Sequence, residues 1–299
     1  MRAKRKIASL LFLAAVLYLS SSRPLDAAKC RPNPEHCGDT GQQERIPLKI
    51  YRNFLVVAEG ELGGATRQNF ILDTGTAPSM INAGLAAQLG LATAPSTSVV
   101  GGKTIPTQTA VVPEIRLGPI RAVSLPVQVH DLSTYERELG IPVAGIIGLD
   151  VLSKSSFRLD FNKREIEFGD ISRQGVPVHF DARTGLAVVE VSLGGKLLRM
   201  LVDTGSDNFV LLGGNFADVG WLPLRDTSQT GASLAEHGLP VQVFPMPDIA
   251  LGGLHLNQDR AYLVPDRADP EFDGFLGVRA LGFRALSYDQ ASETVYLEK

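Results

Sequence analysis

The chain is poor in the residues that build metal centres and cross-linked scaffolds. Its 299 residues include 2 cysteines, 5 histidines, 4 methionines and 1 tryptophan. Two cysteines cannot form the dense disulfide framework of a small secreted scaffold or a Cys-rich metal site. The histidines (His36, His130, His179, His237 and His255) are scattered without ligand spacing, so no metal is expected. Charged residues make up 20% of the chain and the net charge is −3, which leaves no basic surface for a nucleic-acid backbone. No Gly-x-Ser-x-Gly elbow is present. Gly101-Gly102-Lys103-Thr104 lacks the earlier glycine of a phosphate-binding loop, because Thr97 stands in its place. No segment after the N-terminal leader approaches the roughly 20 apolar residues that a membrane helix needs. What is left is an ordinary globular composition, 44% hydrophobic with 30 Gly and 18 Pro, and a length that suits two cores.

Arg2, Lys4, Arg5 and Lys6 precede a 13-residue apolar stretch from Ile7 to Leu19, followed by Ser20-Ser21-Ser22. That order reads residues 1–28 as a secretory signal peptide, or a signal anchor if it is not cleaved. The protein is therefore expected to be exported, periplasmic or secreted, with a membrane link only through an uncleaved leader. Residues 29–45 read as a Pro-rich linker. It carries Cys30 and Cys37, which in an oxidising compartment would most simply pair as a local disulfide.

The chain also repeats itself. Asn69-Phe70-Ile71-Leu72-Asp73-Thr74-Gly75-Thr76 returns 130 residues later as Arg199-Met200-Leu201-Val202-Asp203-Thr204-Gly205-Ser206. Ile46-Pro47-Leu48 returns as Val176-Pro177-Val178, and Ala144-Gly145-Ile146-Ile147-Gly148 as Asp273-Gly274-Phe275-Leu276-Gly277. Ordered matches at one offset mark a structural unit used twice. The predicted halves are 46–172 and 173–299, with the boundary near Asp170 to Gln174. Short apolar runs bounded by Gly-Gly turns make each half mostly strand. Short helices are expected over Ala83 to Leu89, capped by Asn82, and over Asn215 to Val219. The fold class read from this pattern is an all-β lobe with a few short helices, duplicated.

An apolar strand ending in Asp-Thr-Gly presents a carboxylate at the edge of a core, on a backbone that glycine lets turn sharply. One copy is an ordinary turn. Two copies on lobes packed about a pseudo-twofold axis would bring Asp73 and Asp203 face to face. Carboxylates about 3 Å apart cannot both ionise, so they would share a proton and supply an acid and a base in one site.

From about Arg45 to Glu298 the chain resembles the aspartic peptidases, and among them a single-chain, retropepsin-like arrangement more than a pepsin. The resemblance implies duplicated acid-protease β-barrel lobes and hydrolysis of peptide bonds in a peptide or protein substrate. It implies that Asp73 and Asp203 are the catalytic pair and that Thr74 and Thr204 cross-link the lobes beneath them. Thr76 and Ser206 would hydrogen-bond the outer carboxylate oxygens, Gly75 and Gly205 would hold the turns open, and Gly148 and Gly277 would lie on the segments behind. A flap hairpin is expected at Gly101 and Gly102, with a counterpart at Gly231. Tyr135 lies too far along the chain to be a flap tyrosine. The likeness further implies no cofactor and a monomer, since one chain supplies both halves. A non-catalytic peptide- or protein-binding module of the same fold remains open.

Overall fold

The computed structural model describes residues 44–216, 220, 222, 225–233, 236–245, 248–256 and 259–299, together with Phe12–Leu13. The rest of the leader and the segment bearing Cys30 and Cys37 lie outside the described residues.

The protein is built from strands, gathered among the described residues into a sheet of thirteen and a sheet of ten. Each half contains an early hairpin whose second strand ends at the Asp-Thr-Gly turn: Leu55–Leu62 with Ala65–Leu72, and Val188–Leu193 with Lys196–Asp203. The loops are glycine pairs because both central residues of such a tight turn need positive φ; Gly63 and Gly64 lie at 56° and 88°, Gly194 and Gly195 at 55° and 82°.

A short strand then inserts beside each hairpin. Gly145–Ile147 runs parallel to Ala65–Leu72 and antiparallel to Met80–Asn82. Gly274–Gly277 runs parallel to Lys196–Asp203 and antiparallel to Phe209–Leu212. The repeat in sequence is thus a repeat in topology.

The halves also share a sheet. Phe157–Asp160 pairs antiparallel with Ala285–Asp289, setting Phe157 opposite Tyr288 and Leu159 opposite Leu286. Glu165–Phe168 and Thr294–Glu298 flank that central pair, with Glu44–Tyr51 and Val176–His179 outside them. The Phe157 and Tyr288 rings stack with centroids 5.1 Å apart. One continuous apolar core runs through both halves, and a smaller one lies in the first half.

One of the two helix readings holds and the other needs revision. Ala83–Gln88 is helical, with Asn82 Oδ1 accepting from the Gly84 N–H. In the second half a 3-10 segment occupies Gly213–Asn215 and Phe216 is extended, while residues 217–219 of the expected helix lie outside the described residues. Asn215 Nδ2 donates to the carbonyls of Asp269 and Phe272, which anchors this segment to the facing loop. A helix at Ser133–Leu139 was not foreseen, because its seven residues carry only two buried apolar positions, Tyr135 and Leu139.

Arg158 is buried in the shared sheet, where it donates to Ser287 Oγ and pairs with Glu298. Removing Arg158 would leave the buried Glu298 carboxylate held by the half-exposed Arg284 alone among the described residues. Arg158→Ala is therefore expected to cost about 3 kcal/mol in urea unfolding at neutral pH. Hydrogen bonding to Arg158 holds the Glu298 carboxyl below its ordinary value. This stabilisation is complete above the unfolded-state value and is lost as pH falls through the folded one, so the two midpoints should converge in acid.

Candidate active site

Phe70, Ile71 and Leu72 are buried, as are Leu201 and Val202, so each strand carries its terminal aspartate into the interior. Asp73 is 2% exposed and Asp203 is fully buried. Their carboxyls lie within hydrogen-bonding reach of each other. The turns lock them in place: the Gly75 N–H donates to Asp73 Oδ1 at 2.8 Å, and the Gly205 N–H to Asp203 Oδ1 at 2.7 Å.

Beneath them the threonines cross. The Thr74 N–H donates to Thr204 Oγ1 (3.0 Å) and the Thr204 N–H to Thr74 Oγ1 (3.1 Å). Each hydroxyl then donates to a carbonyl of the opposite strand, Thr74 to Val202 and Thr204 to Leu72. A buried hydroxyl that both accepts and donates leaves no polar atom stranded, and four such bonds fix the distance between the strands.

The turn glycine at 75 is required by space. A Cβ there would come 2.7 Å from the Asp203 Cγ, so any side chain would push the carboxyls apart. Gly148 and Gly277 lie directly behind: the Leu149 N–H donates to the Thr76 carbonyl at 2.9 Å, and the Gly277 N–H to the Asn208 carbonyl at 3.0 Å.

The halves differ around the outer oxygens. Thr76 Oγ1 donates to Asp73 Oδ2 at 2.9 Å. Ser206, expected to mirror it, does not: its hydroxyl donates to the Asn208 carbonyl at 3.2 Å, and Asp203 Oδ2 has no hydrogen-bond partner among the described residues. A serine hydroxyl is readily captured by the backbone two residues on, which is what the Asp207-Asn208 turn offers.

Burial raises the Asp73 carboxyl above the ordinary aspartate value, opposed by its bonds from Thr76 and Gly75. Burial raises Asp203 further, with the neighbouring Asp73 charge adding to it. Of the two, Asp203 is therefore the member that keeps its proton to the higher pH.

The hairpin of Thr93–Val100 and Lys103–Leu117 turns at Gly101 and Gly102. Its tip reaches the second half, where a Cβ on Gly102 would come 2.9 Å from the Ala268 carbonyl oxygen. Val100 is buried with Ile71 and Ile146, next to the Asp73 strand. The matching hairpin, Arg225–Ser233 with Glu236–Phe244, does not turn at Gly231. That residue lies within the strand opposite Leu239, just before a register shift, a place where glycine suits a bulge.

Sequence reasoning missed two supports. Ser79 Oγ accepts from the Gly148 N–H and donates to Asp150, tying the inserted strand to the loop after Asp73. Tyr135 is buried, and its phenol is raised first by burial and then by the charges of Asp73 and Asp203. Neither is visible without the fold, since both act through residues distant in sequence.

The family profile described as aspartyl protease matches residues 58–151 and 189–280, more than half of the chain and both copies of the repeat. No curated protein matches the chain.

Because folding raises the Asp203 carboxyl above its unfolded value, its contribution to stability is complete at low pH and is lost as pH rises through the folded value. Asp203→Asn escapes that loss. It is expected to melt above the parent near neutral pH and to lose the advantage below about pH 4, as thermal scans at the two pH values would show.

Proposed function

The chain belongs to the aspartyl protease family, and we propose that it is an aspartic endopeptidase in which Asp73 and Asp203 activate a water molecule against a peptide bond. The observation that carries this reading is the meeting of the two carboxyls above the crossed Thr74 and Thr204 bonds. With one proton between them, the ionised Asp73 takes a proton from the attacking water while the protonated Asp203 donates to the carbonyl oxygen of the substrate. Thr76 supports this division, because its donor favours the charged form of Asp73 and Asp203 Oδ2 has no equivalent. The chemistry requires nothing beyond the two carboxyls and a water.

The hairpin at Gly101 and Gly102 acts as a flap that excludes bulk water once substrate is seated. The carboxyls are almost inaccessible, so the hairpin lifts to admit a peptide. The leader directs export to the periplasm or the medium, Cys30 and Cys37 pair there, and a single chain acts as a monomer on peptide or protein substrates.

A denatured protein or a peptide library, digested across pH, tests the reading. The parent should cut, with the alkaline limb of its bell-shaped profile above the ordinary carboxylate range. Asp73→Asn and Asp203→Asn should each lower cleavage by at least about 10³-fold without unfolding the chain. A parent protein that binds peptides and cuts none would instead support a non-catalytic module.

A further inference from the structure

Gln128 lies in the strand Ile120–His130 and is fully buried. Its neighbours Val127 and Val129 point into the main core. Strand alternation therefore sends Gln128 to the opposite face. Its register partner there is Met80, which in turn faces Ile146. Met80 and Ile146 belong to the smaller apolar cluster, together with Ile71 from the Asp73 strand, Tyr135, and Val100 from the flap hairpin. A buried carboxamide is thus set against the apolar cluster that joins the hairpin to the Asp73 strand.

Only half of that carboxamide is satisfied. Its Oε1 accepts from the Ser98 hydroxyl of the hairpin at 3.0 Å, while Nε2 has no hydrogen-bond partner among the described residues. The backbone fixes its position: the Gln128 N–H donates to the Ser79 carbonyl, and Ser79 Oγ holds Gly148 behind the Asp73 turn. A buried donor without a partner is costly and rare in a native fold, so a specific site for one calls for a ligand that completes it.

We propose that Gln128 is a specificity-determining residue, whose amide N–H donates to an acceptor on the substrate side chain that enters beneath the flap. This rests on the endopeptidase reading above. The chemistry selects a side chain that is long, largely apolar along its stem and terminated by a carbonyl or carboxamide, such as glutamine, over an aliphatic side chain of the same length. Ser98 acts as a positioning residue, because its bond to Oε1 fixes the carboxamide and leaves Nε2 as the unpaired donor.

The test compares peptides that differ only in glutamine, methionine or leucine, placed in turn at each position flanking the scissile bond. For the parent chain, kcat/KM should favour glutamine over methionine by about 10-fold at one position. Gln128→Met, close in volume but without the donor, should bring that ratio near unity, and Ser98→Ala should reduce it. A residue that only supports the fold would lower all the rates together and leave the ratio intact. Equal ratios in parent and Gln128→Met overturn the proposal, as does a parent with no preference for glutamine at any position, the result expected if a water satisfies Nε2. If no peptide is cut, the endopeptidase reading fails separately. The same peptides titrated calorimetrically against the parent then decide the matter: a 10-fold difference in Kd, lost in Gln128→Met, supports the contact, and equal affinities overturn it.

Discussion

Two carboxyl groups held together in the interior are the constraint around which this molecule is organised. Left to itself such a contact would separate, since desolvation and like charge both oppose it. Two arrangements prevent this. The crossed bonds of Thr74 and Thr204 hold the strands at a fixed distance, and the sheet formed by Phe157–Asp160 and Ala285–Asp289 joins the halves at a second level. The bare glycine at 75 lets the carboxyls approach, where a single methyl would intrude.

The duplicated halves have diverged in the chemistry that surrounds this contact. In the first, Thr76 donates to Asp73, and Ser79 with Asp150 braces the segment behind. The positions equivalent to Ser79 and Asp150 in the second half are Phe209 and Arg279. Phe209 is buried in the core, and the Arg279 guanidinium lies 5.8 Å from the centre of the Phe161 ring of the first half. One half therefore supplies a charge-stabilising, hydrogen-bonded setting and the other a drier one. That difference gives the two aspartates unequal surroundings although their sequence motifs are nearly identical.

What the sequence made legible was whatever depends on local chemistry or on the repeat. The all-β class, the Gly-Gly hairpins, the Asn82 cap and the Asp-Thr-Gly turns all follow from residue types at short range, and the offset of 130 links the halves. Less legible was anything decided by competition between partners across the fold. The sequence leaves open whether the Ser206 hydroxyl serves the Asp203 carboxyl or a nearby carbonyl, and only the course of the Asp207-Asn208 turn shows that the backbone takes it. Gly231 carries the flap signature in sequence yet occupies a strand, because the turn of that hairpin falls further on. Tyr135, Ser79 and Gln128 matter through neighbours about 30 to 70 residues away, a relation that spacing along the chain does not encode.

The central claim is that Asp73 and Asp203 titrate as one unit. The most direct measurement is carbon-13 NMR of the aspartate carboxyls across pH, assigned with Asp73→Asn and Asp203→Asn. One proton of the pair is expected to be retained well above the ordinary aspartate range and the other lost at much lower pH, with each step seen at both carboxyls. Two independent titrations, both near the ordinary aspartate value and each indifferent to substitution of the other residue, would contradict the account.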